Sequence, residues 1–461
     1  MVFVSDSFVF VFLPLFLIAY AAVPNGLRNL TILLFSLLFY GWWRFDFLPL
    51  LVGIAGWSWF TGLWIAGAFG RERRLALVVA IGPPLCSLVY FKYVNLFVDS
   101  AIGLGAPING WSPIPLPIGL SFFVFGAISY SVDVFRKTVA AERSFISYST
   151  YQAMFGHLVA GPVVRYQSVA ERLKFRTFEV AEFAEGLRRF MLGFAQKVLI
   201  ADTLAPLVDA GYSLPSPSSV DVVVTVVAYT LHLYFDFAGY SSMAIGLGLM
   251  VGLKFPENFD HPYLSTSLTD FWRRWHISLS SWLRDYLYIP LGGNRVGTLR
   301  SYVNLLVTMA LGGLWHGASW TFLIWGIWHG IGLIACRGWS ALRWPAIPTV
   351  PGHVLTVLFV MIGWTLFRAQ DWQTAGTMFS GALGRNGLPM SSAFVAVLRP
   401  TELIALFAGI ALVYRPIVAR SLPMAHSIIG RPAFPVASLL WLCSLWLIQS
   451  RTVIPFLYFQ F

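Results

Sequence analysis

Between Asp221 and Leu253 the chain runs through Val, Leu, Phe, Met and Gly with one internal carboxylate, Asp236, and no lysine or arginine. At about 1.5 Å of rise per residue, a helix of that length exceeds the roughly 30 Å of hydrocarbon in a bilayer. Comparable runs recur near Phe8 to Val23, Asn29 to Trp43, Phe47 to Phe69, Leu75 to Asn95, Gly186 to Leu204, His353 to Phe367, Leu403 to Tyr414 and Phe434 to Ile448. The strands of a membrane barrel would alternate apolar and polar residues, and these segments do not. The expectation is an all-α integral membrane fold of about eleven to thirteen segments, some too short or too broken to span. Composition agrees, with 57% hydrophobic and 11% charged residues against roughly 25% charged in soluble domains.

The net charge of +11 does not indicate nucleic acid, because the basic residues are spread over inter-helix loops rather than gathered on one face. They serve orientation instead. Arg71, Arg73 and Arg74 follow the third segment, the stretch from Val98 to Pro113 has no Lys or Arg, and Arg136, Lys137 and Arg143 follow the next helix. The positive-inside rule makes these cytoplasmic, external and cytoplasmic, which places the N-terminus outside. The first apolar segment lacks a basic leader and a small-residue cleavage pattern, so a retained helix is expected. Cys86, Cys336 and Cys443 lack ligand spacing, and buried free thiols are expected. No separate soluble domain is apparent, and residues 1–461 read as one membrane domain.

Gly82, Pro83 and Pro84 should kink the segment that holds them. The stretch from Ser149 to Val164 is short, contains Gly156, His157, Gly161 and Pro162, and has basic loops on both sides. It reads as an element that enters the membrane without crossing, lining a polar funnel with His157 on the wall.

Chemistry concentrates between Asp270 and Gly330, where His276 and His316 flank a basic, glycine-marked turn. Ionisable groups at membrane depth are costly, so their presence points to function. Ser267 and Asp270 have capping-box spacing, which predicts a helix from Leu268 toward Tyr288. Arg273, His276, Ser280 and Arg284 would then share one face, suited to the phosphates of coenzyme A or phosphopantetheine, with Trp272, Trp275 and Trp282 as interfacial aromatics on other faces. The competing reading is an interfacial helix with its arginines on lipid phosphates. His316 lies beside Gly312, Gly313 and Gly317, so either another helix packs closely there or a substrate passes the ring. A neutral imidazole in an apolar tunnel can take a proton from a hydroxyl attacking a thioester. His232 and Asp236, one turn apart, could form a buried supporting pair; His329 reads as a helix contact, and His261, His353 and His426 as loop or interface residues. Nucleophile-elbow, phosphate-loop and H-E-x-x-H zinc motifs do not occur, and no metal or bound cofactor is expected.

LPIGLSFFVFGAISYSVDVFRK (Leu116 to Lys137), HLVAGPVVRY (His157 to Tyr166), the run from Tyr234 to Arg295 that includes FPENFDHPYLSTSLTDFWRRWHISLSSWLRDYLYIPLGGNR, LWHGASWTFLIWGIWHG (Leu314 to Gly330) and the closing FLYFQF resemble the membrane-bound O-acyltransferase family. The likeness is to its bacterial alginate O-acetylation branch. It covers about half the chain and implies a family core near residues 114–340. It also implies a ring of tilted helices around a thinned centre, where a cytoplasmic funnel and an external opening meet near a catalytic histidine, His316, with His276 as the second motif histidine. The implied donor is acetyl coenzyme A or an acyl-carrier thioester on the cytoplasmic side of a bacterial inner membrane. The implied acceptor is an exported polysaccharide such as alginate or cellulose, reached directly or through a periplasmic acetyltransferase partner and the exopolysaccharide machinery. Arg273, Arg274 and Arg284 would hold donor phosphates, with Asp270, Ser280, Trp315, His232 and Asp236 in support and membrane lipid around the whole. Ser242 stands where the family often has Asp, and Gly126 where it often has Gln. A precursor transporter or flippase, and a scaffold subunit of a secretion complex, are the rival readings.

Overall fold

The computed structural model describes residues 2–421 and 433–451, and among them every regular element is a helix. His426 and the closing FLYFQF lie outside the described residues. Among the described residues, six helices are long and apolar enough to cross a membrane: Phe45–Gly67, Gly70–Gly103, Val180–Ser213, Ser219–Met250, Thr349–Arg368 and Pro400–Ala419. Ser7–Ala22 and Phe434–Gln449 are apolar but shorter. By contact the chain groups into two compact units, Met1–Phe190 with Met243–Glu257, and Met191–Ser242 with Asn258–Phe461.

In the first unit, α1 (Gly70–Gly103) begins two residues after the preceding helix, so Arg71, Arg73 and Arg74 stand in its first turns rather than in a loop. The helix also runs on through Pro83 and Pro84 and ends at Gly103, inside the stretch expected to be an external loop. One of these arginines has a structural use: Arg73 donates to the carbonyls of Val134 and Phe135 at 3.0 and 2.9 Å. Those carbonyls belong to the last turn of α2 (Leu120–Arg136), where the intrahelical ladder runs out of donors. The 149–164 stretch is not a spanning helix. It forms the end of Phe145–Ala153 and the single turn Phe155–Leu158, both buried, and the Phe155 amide donates to the Ser36 hydroxyl at 3.1 Å. His157 lines a cavity of about 10 Å³ there with Gly126, Tyr151 and Gln152.

Helices α3 (Val180–Ala195) and α4 (Ser219–Met250) each supply residues to both units. In the second unit, Lys197 follows α3 in a wide helical turn, Gln196–Ala201, and pairs with Asp202 and, at 2.9 Å, with Asp236 of α4. All three side chains are buried. This corrects the expected His232–Asp236 pair: Asp236 faces an ammonium, and the two ring nitrogens of His232 have no hydrogen-bond partner among the described residues. A full positive charge outcompetes a neutral imidazole for a carboxylate in a medium that solvates neither. The cysteines are free as expected but not buried, since Cys86 and Cys443 are exposed and Cys336 is half-buried. They share outward faces with Leu85, Val89, Leu439 and Leu442, and a thiol is apolar enough for such a face.

Lys197→Leu would leave two buried carboxylates without their counter-charge, and breaking a buried pair in this way costs about 3–5 kcal/mol. Thermal unfolding in detergent should show that loss. The triple variant Lys197→Leu, Asp202→Asn, Asp236→Asn should recover much of it, and an unchanged unfolding temperature for Lys197→Leu would contradict the ion-pair account.

Candidate functional site

Ser267 caps a helix, its hydroxyl accepting the Asp270 amide at 3.2 Å, as its spacing suggested. The helix is not the long one expected. α5 (Leu268–Arg274) stops at Trp275, which is extended, and His276 turns left-handed with φ 42° before α6 (Ile277–Leu283) begins. A neighbouring loop supplies the cause. Asn258 accepts the Ile277 amide on its backbone carbonyl at 2.9 Å, and the Asp260 amide donates to the Arg274 carbonyl at 3.0 Å. The Asn258 side-chain oxygen takes the Ser278 hydroxyl at 2.8 Å and the Ser278 amide at 3.4 Å, and it lies 3.0 Å from His276 Nδ1. Polar groups that would otherwise be stranded at the break are satisfied by the Asn258 side chain together with the backbone of Asn258 and Asp260.

The break separates the residues that the helical spacing had grouped. Arg273, Ser280 and Arg284 line a cavity of about 510 Å³, whereas His276 is buried and does not. Arg274 is turned away, held by Asp270 at 2.9 Å and Asp260 at 3.9 Å, so it does not join the other two arginines. Trp272 is a cavity wall, while Trp275 and Trp282 are buried rather than interfacial. Trp275 belongs to the apolar core of this unit because the break points it inward.

The far wall comes from α7 (Thr298–His316) and α8 (Trp320–Ala341), a hairpin whose turn is capped by the Ser319 hydroxyl accepting the Thr321 amide at 3.3 Å. Two of the glycines beside His316 meet different surroundings, one a neighbouring helix and the other open space. A side chain on Gly313 would overlap the Phe322 carbonyl and the backbone of Gly326, so that glycine permits close helix packing. Gly312 faces the cavity, where an added Cβ would lie 3.1 Å from the Leu283 side chain and close the gap. Leu305, Thr308, Met309, Gly312 and His316 follow one another along this wall. The eleven-residue rise from Leu305 to His316 makes it roughly 16 Å long.

His316 is 4% exposed and stands in this lining. Its ring centroid is 6.4 Å from that of His276, and Trp315 completes a triangle with them, 5.0 Å from His316 and 5.8 Å from His276. Trp325 and Phe367 pack edgewise on it at 5.1 and 5.2 Å. The fold therefore unites His316, His276 and Trp315, and brings Arg273, Ser280 and Arg284 to the same cavity, but it leaves Arg274, His232 and Asp236 out of the lining. Asp270 serves the cap and the Arg274 pair.

Electrostatics sharpen the roles. Asn258 Nδ2 donates to the Ser241 hydroxyl at 3.0 Å, which fixes its oxygen as the acceptor and makes His276 Nδ1 the donor. His276 lies between two seven-residue helices, neither able to span, and burial lowers its pKa. A neutral ring with its proton on Nδ1 has a lone pair at Nε2. It can orient a neighbour, but it cannot polarise a carbonyl by donation from Nε2. Arg284 donates to the Asp285 carboxylate at 2.7 Å, which raises the pKa of Arg284 and keeps it cationic. Of the remaining histidines, His329 is a buried helix contact, His261 is an exposed left-handed loop residue, and His353 lies in the first turns of a helix between the Ser265 carbonyl and the Tyr414 hydroxyl.

Asn258 carries more of this site's geometry, and Lys197 more of the buried charge of this unit, than sequence reasoning gave them. The signal for Lys197 was present, as a lysine inside an apolar segment. Asn258 stood in FPENFD inside the quoted motif, with no spacing rule to mark its reach across to His276. Asn258→Ala should destabilise the protein by about 1–3 kcal/mol, the cost of leaving buried donors unpaired. Thermal unfolding and faster hydrogen exchange at the Ser278 amide measure it, and wild-type values for both would remove Asn258 as the cause of the break.

A family model described as MBOAT, the membrane-bound O-acyltransferase family, matches residues 10–371. The chain is 49% identical over 398 residues to a probable alginate O-acetylase of Azotobacter vinelandii, covering 82% of this chain and 78% of that one. It is 42% identical to a probable alginate O-acetylase of Pseudomonas putida across 100% of both chains. It is 33% identical over 427 residues to a peptidoglycan O-acetyltransferase of Helicobacter pylori, covering 85% and 81% of the two chains. With its apolar helices, the chain is a multi-pass membrane protein and an O-acyltransferase, and it belongs to the membrane-bound O-acyltransferase family.

Proposed function

We propose that this enzyme carries an acetyl group from a thioester, on coenzyme A or an acyl carrier, to hydroxyls of an exported polysaccharide. The observation that carries the reading is His316 in the wall of a 510 Å³ cavity that Arg273 and Arg284 also line. Two guanidiniums fit the phosphates of such a donor, and the apolar wall along α7 fits its arm. Names of the relatives, alginate and peptidoglycan O-acetylating enzymes, support a glycan acceptor.

In the proposed step His316 takes the proton of the acceptor hydroxyl as its oxygen attacks the thioester carbonyl carbon. A C–O bond forms, the C–S bond breaks, and the proton passes to the leaving thiolate, so that ester and thiol are the products. His276 and Trp315 position the His316 ring, and Ser280 lies along the donor's path. Under this reading the protein sits in a bacterial inner membrane with its N-terminus outside. The donor enters by a cytoplasmic funnel, and the acyl group leaves through an external opening within the family's ring of tilted helices. The acceptor is met there directly or through a periplasmic acetyltransferase of the exopolysaccharide machinery.

His316→Ala should lower transfer of radiolabel from acetyl coenzyme A to glycan by about 10²–10⁴-fold, the usual contribution of a general base, with unchanged membrane insertion. Retained transfer at normal expression would remove His316 from the chemistry. Arg273→Glu should raise the donor KM by about ten- to a hundredfold, since a charge-assisted bond contributes about 1.5–3 kcal/mol. Unchanged donor affinity would return that arginine to lipid. Gly312→Leu should close the passage against Leu283 and abolish turnover in a folded protein, and normal turnover would place the donor elsewhere.

A further inference from the structure

Behind the cavity, on the side of α8 that faces α9 (Thr349–Arg368), lies a cluster of buried rings that the proposed chemistry does not use. His329 is its centre. It is fully buried, packed edgewise against Trp272 at 5.2 Å and Trp325 at 4.8 Å. Those two tryptophans are walls of the cavity, and Trp325 also packs on His316.

The indole nitrogen of Trp272 lies 3.3 Å from His329 Nδ1. An indole N–H can only donate, so Nδ1 must accept and carries no proton. The one proton of the neutral ring is then on Nε2. That nitrogen faces the backbone of α9 at Gly363, where an added Cβ would come within 2.9 Å of it, and it has no hydrogen-bond partner among the described residues. A buried donor left in this state is unfavourable, so the ring is held for what its other nitrogen does. Gly363 allows the fit, because a larger residue there would meet Nε2 and displace the imidazole from its place beside Trp272.

We propose that His329 is a positioning residue for the donor: by accepting the Trp272 N–H it fixes the indole wall next to Arg273, and so sets donor affinity without touching the reacting atoms. The proposal rests on the reading of the cavity as the donor site. An asparagine can place an oxygen near the Nδ1 position, whereas leucine cannot, so His329→Asn should keep function that His329→Leu loses.

The test pairs donor kinetics with the indole resonance of Trp272, observed in protein carrying ¹⁵N-tryptophan and assigned by its loss in Trp272→Phe. His329→Leu should move that resonance upfield and raise the acetyl coenzyme A KM about three- to tenfold, in keeping with one lost neutral hydrogen bond, while kcat changes less than twofold. Gly363→Ala should reproduce both effects by displacing the ring, and His329→Asn should stay within twofold of wild type in KM. A resonance that stays put in His329→Leu would overturn the hydrogen bond. A resonance that moves without a KM change, while Arg273→Glu still raises KM, would overturn the positioning role and leave the donor site standing. If neither variant alters KM, the donor site itself falls and the proposal with it.

Discussion

One asparagine side chain decides the shape of the site. Asn258 takes the Ser278 hydroxyl and amide and the His276 ring, while its backbone accepts the Ile277 amide. Without those acceptors the capped helix from Leu268 would have every local reason to continue, since its interior holds neither proline nor glycine up to Leu283. With them, the chain breaks at His276, buries Trp275 and sends the imidazole toward His316 instead of toward the arginines. The same bond sets the tautomer of His276, so a single loop residue governs both where that ring lies and what it can do.

A second constraint acts from the opposite wall. Glycines let α7 and α8 approach until the backbones of Gly313 and Gly326 are in contact, which holds His316 at the hairpin's end against Trp325 and Phe367. The neighbouring Gly312 uses the same lack of a side chain to keep the cavity open. Adjacent glycines thus do opposite things, because successive residues on a helix point about 100° apart. Rigid backing on one side and open space on the other suit the role of base proposed for His316.

The helical class, the long apolar segments and His316 were legible in the sequence because each depends on local composition or on a short motif. The Ser267 cap was legible for the same reason. The break at His276 and the partner of Asp236 were not, since each is decided by a residue distant in sequence, Asn258 and Lys197 respectively. Helical spacing describes a helix that continues, and it has no term for a side chain arriving from another segment to end it. The cysteines misled in another way. Apolar surroundings in sequence mean burial in a soluble protein, but a membrane helix also turns apolar residues outward.

The claim that the cavity along α7 receives the acyl donor can be tested without relying on turnover. A photoreactive acyl thioester of coenzyme A, crosslinked to the wild-type protein in lipid and located by mass spectrometry, should label residues of the cavity wall, between Thr269 and Arg284 or between Leu305 and His316. Excess acetyl coenzyme A should suppress the label. Labelling confined to the other unit, as around Tyr151 and His157, with none along these walls, would contradict the account.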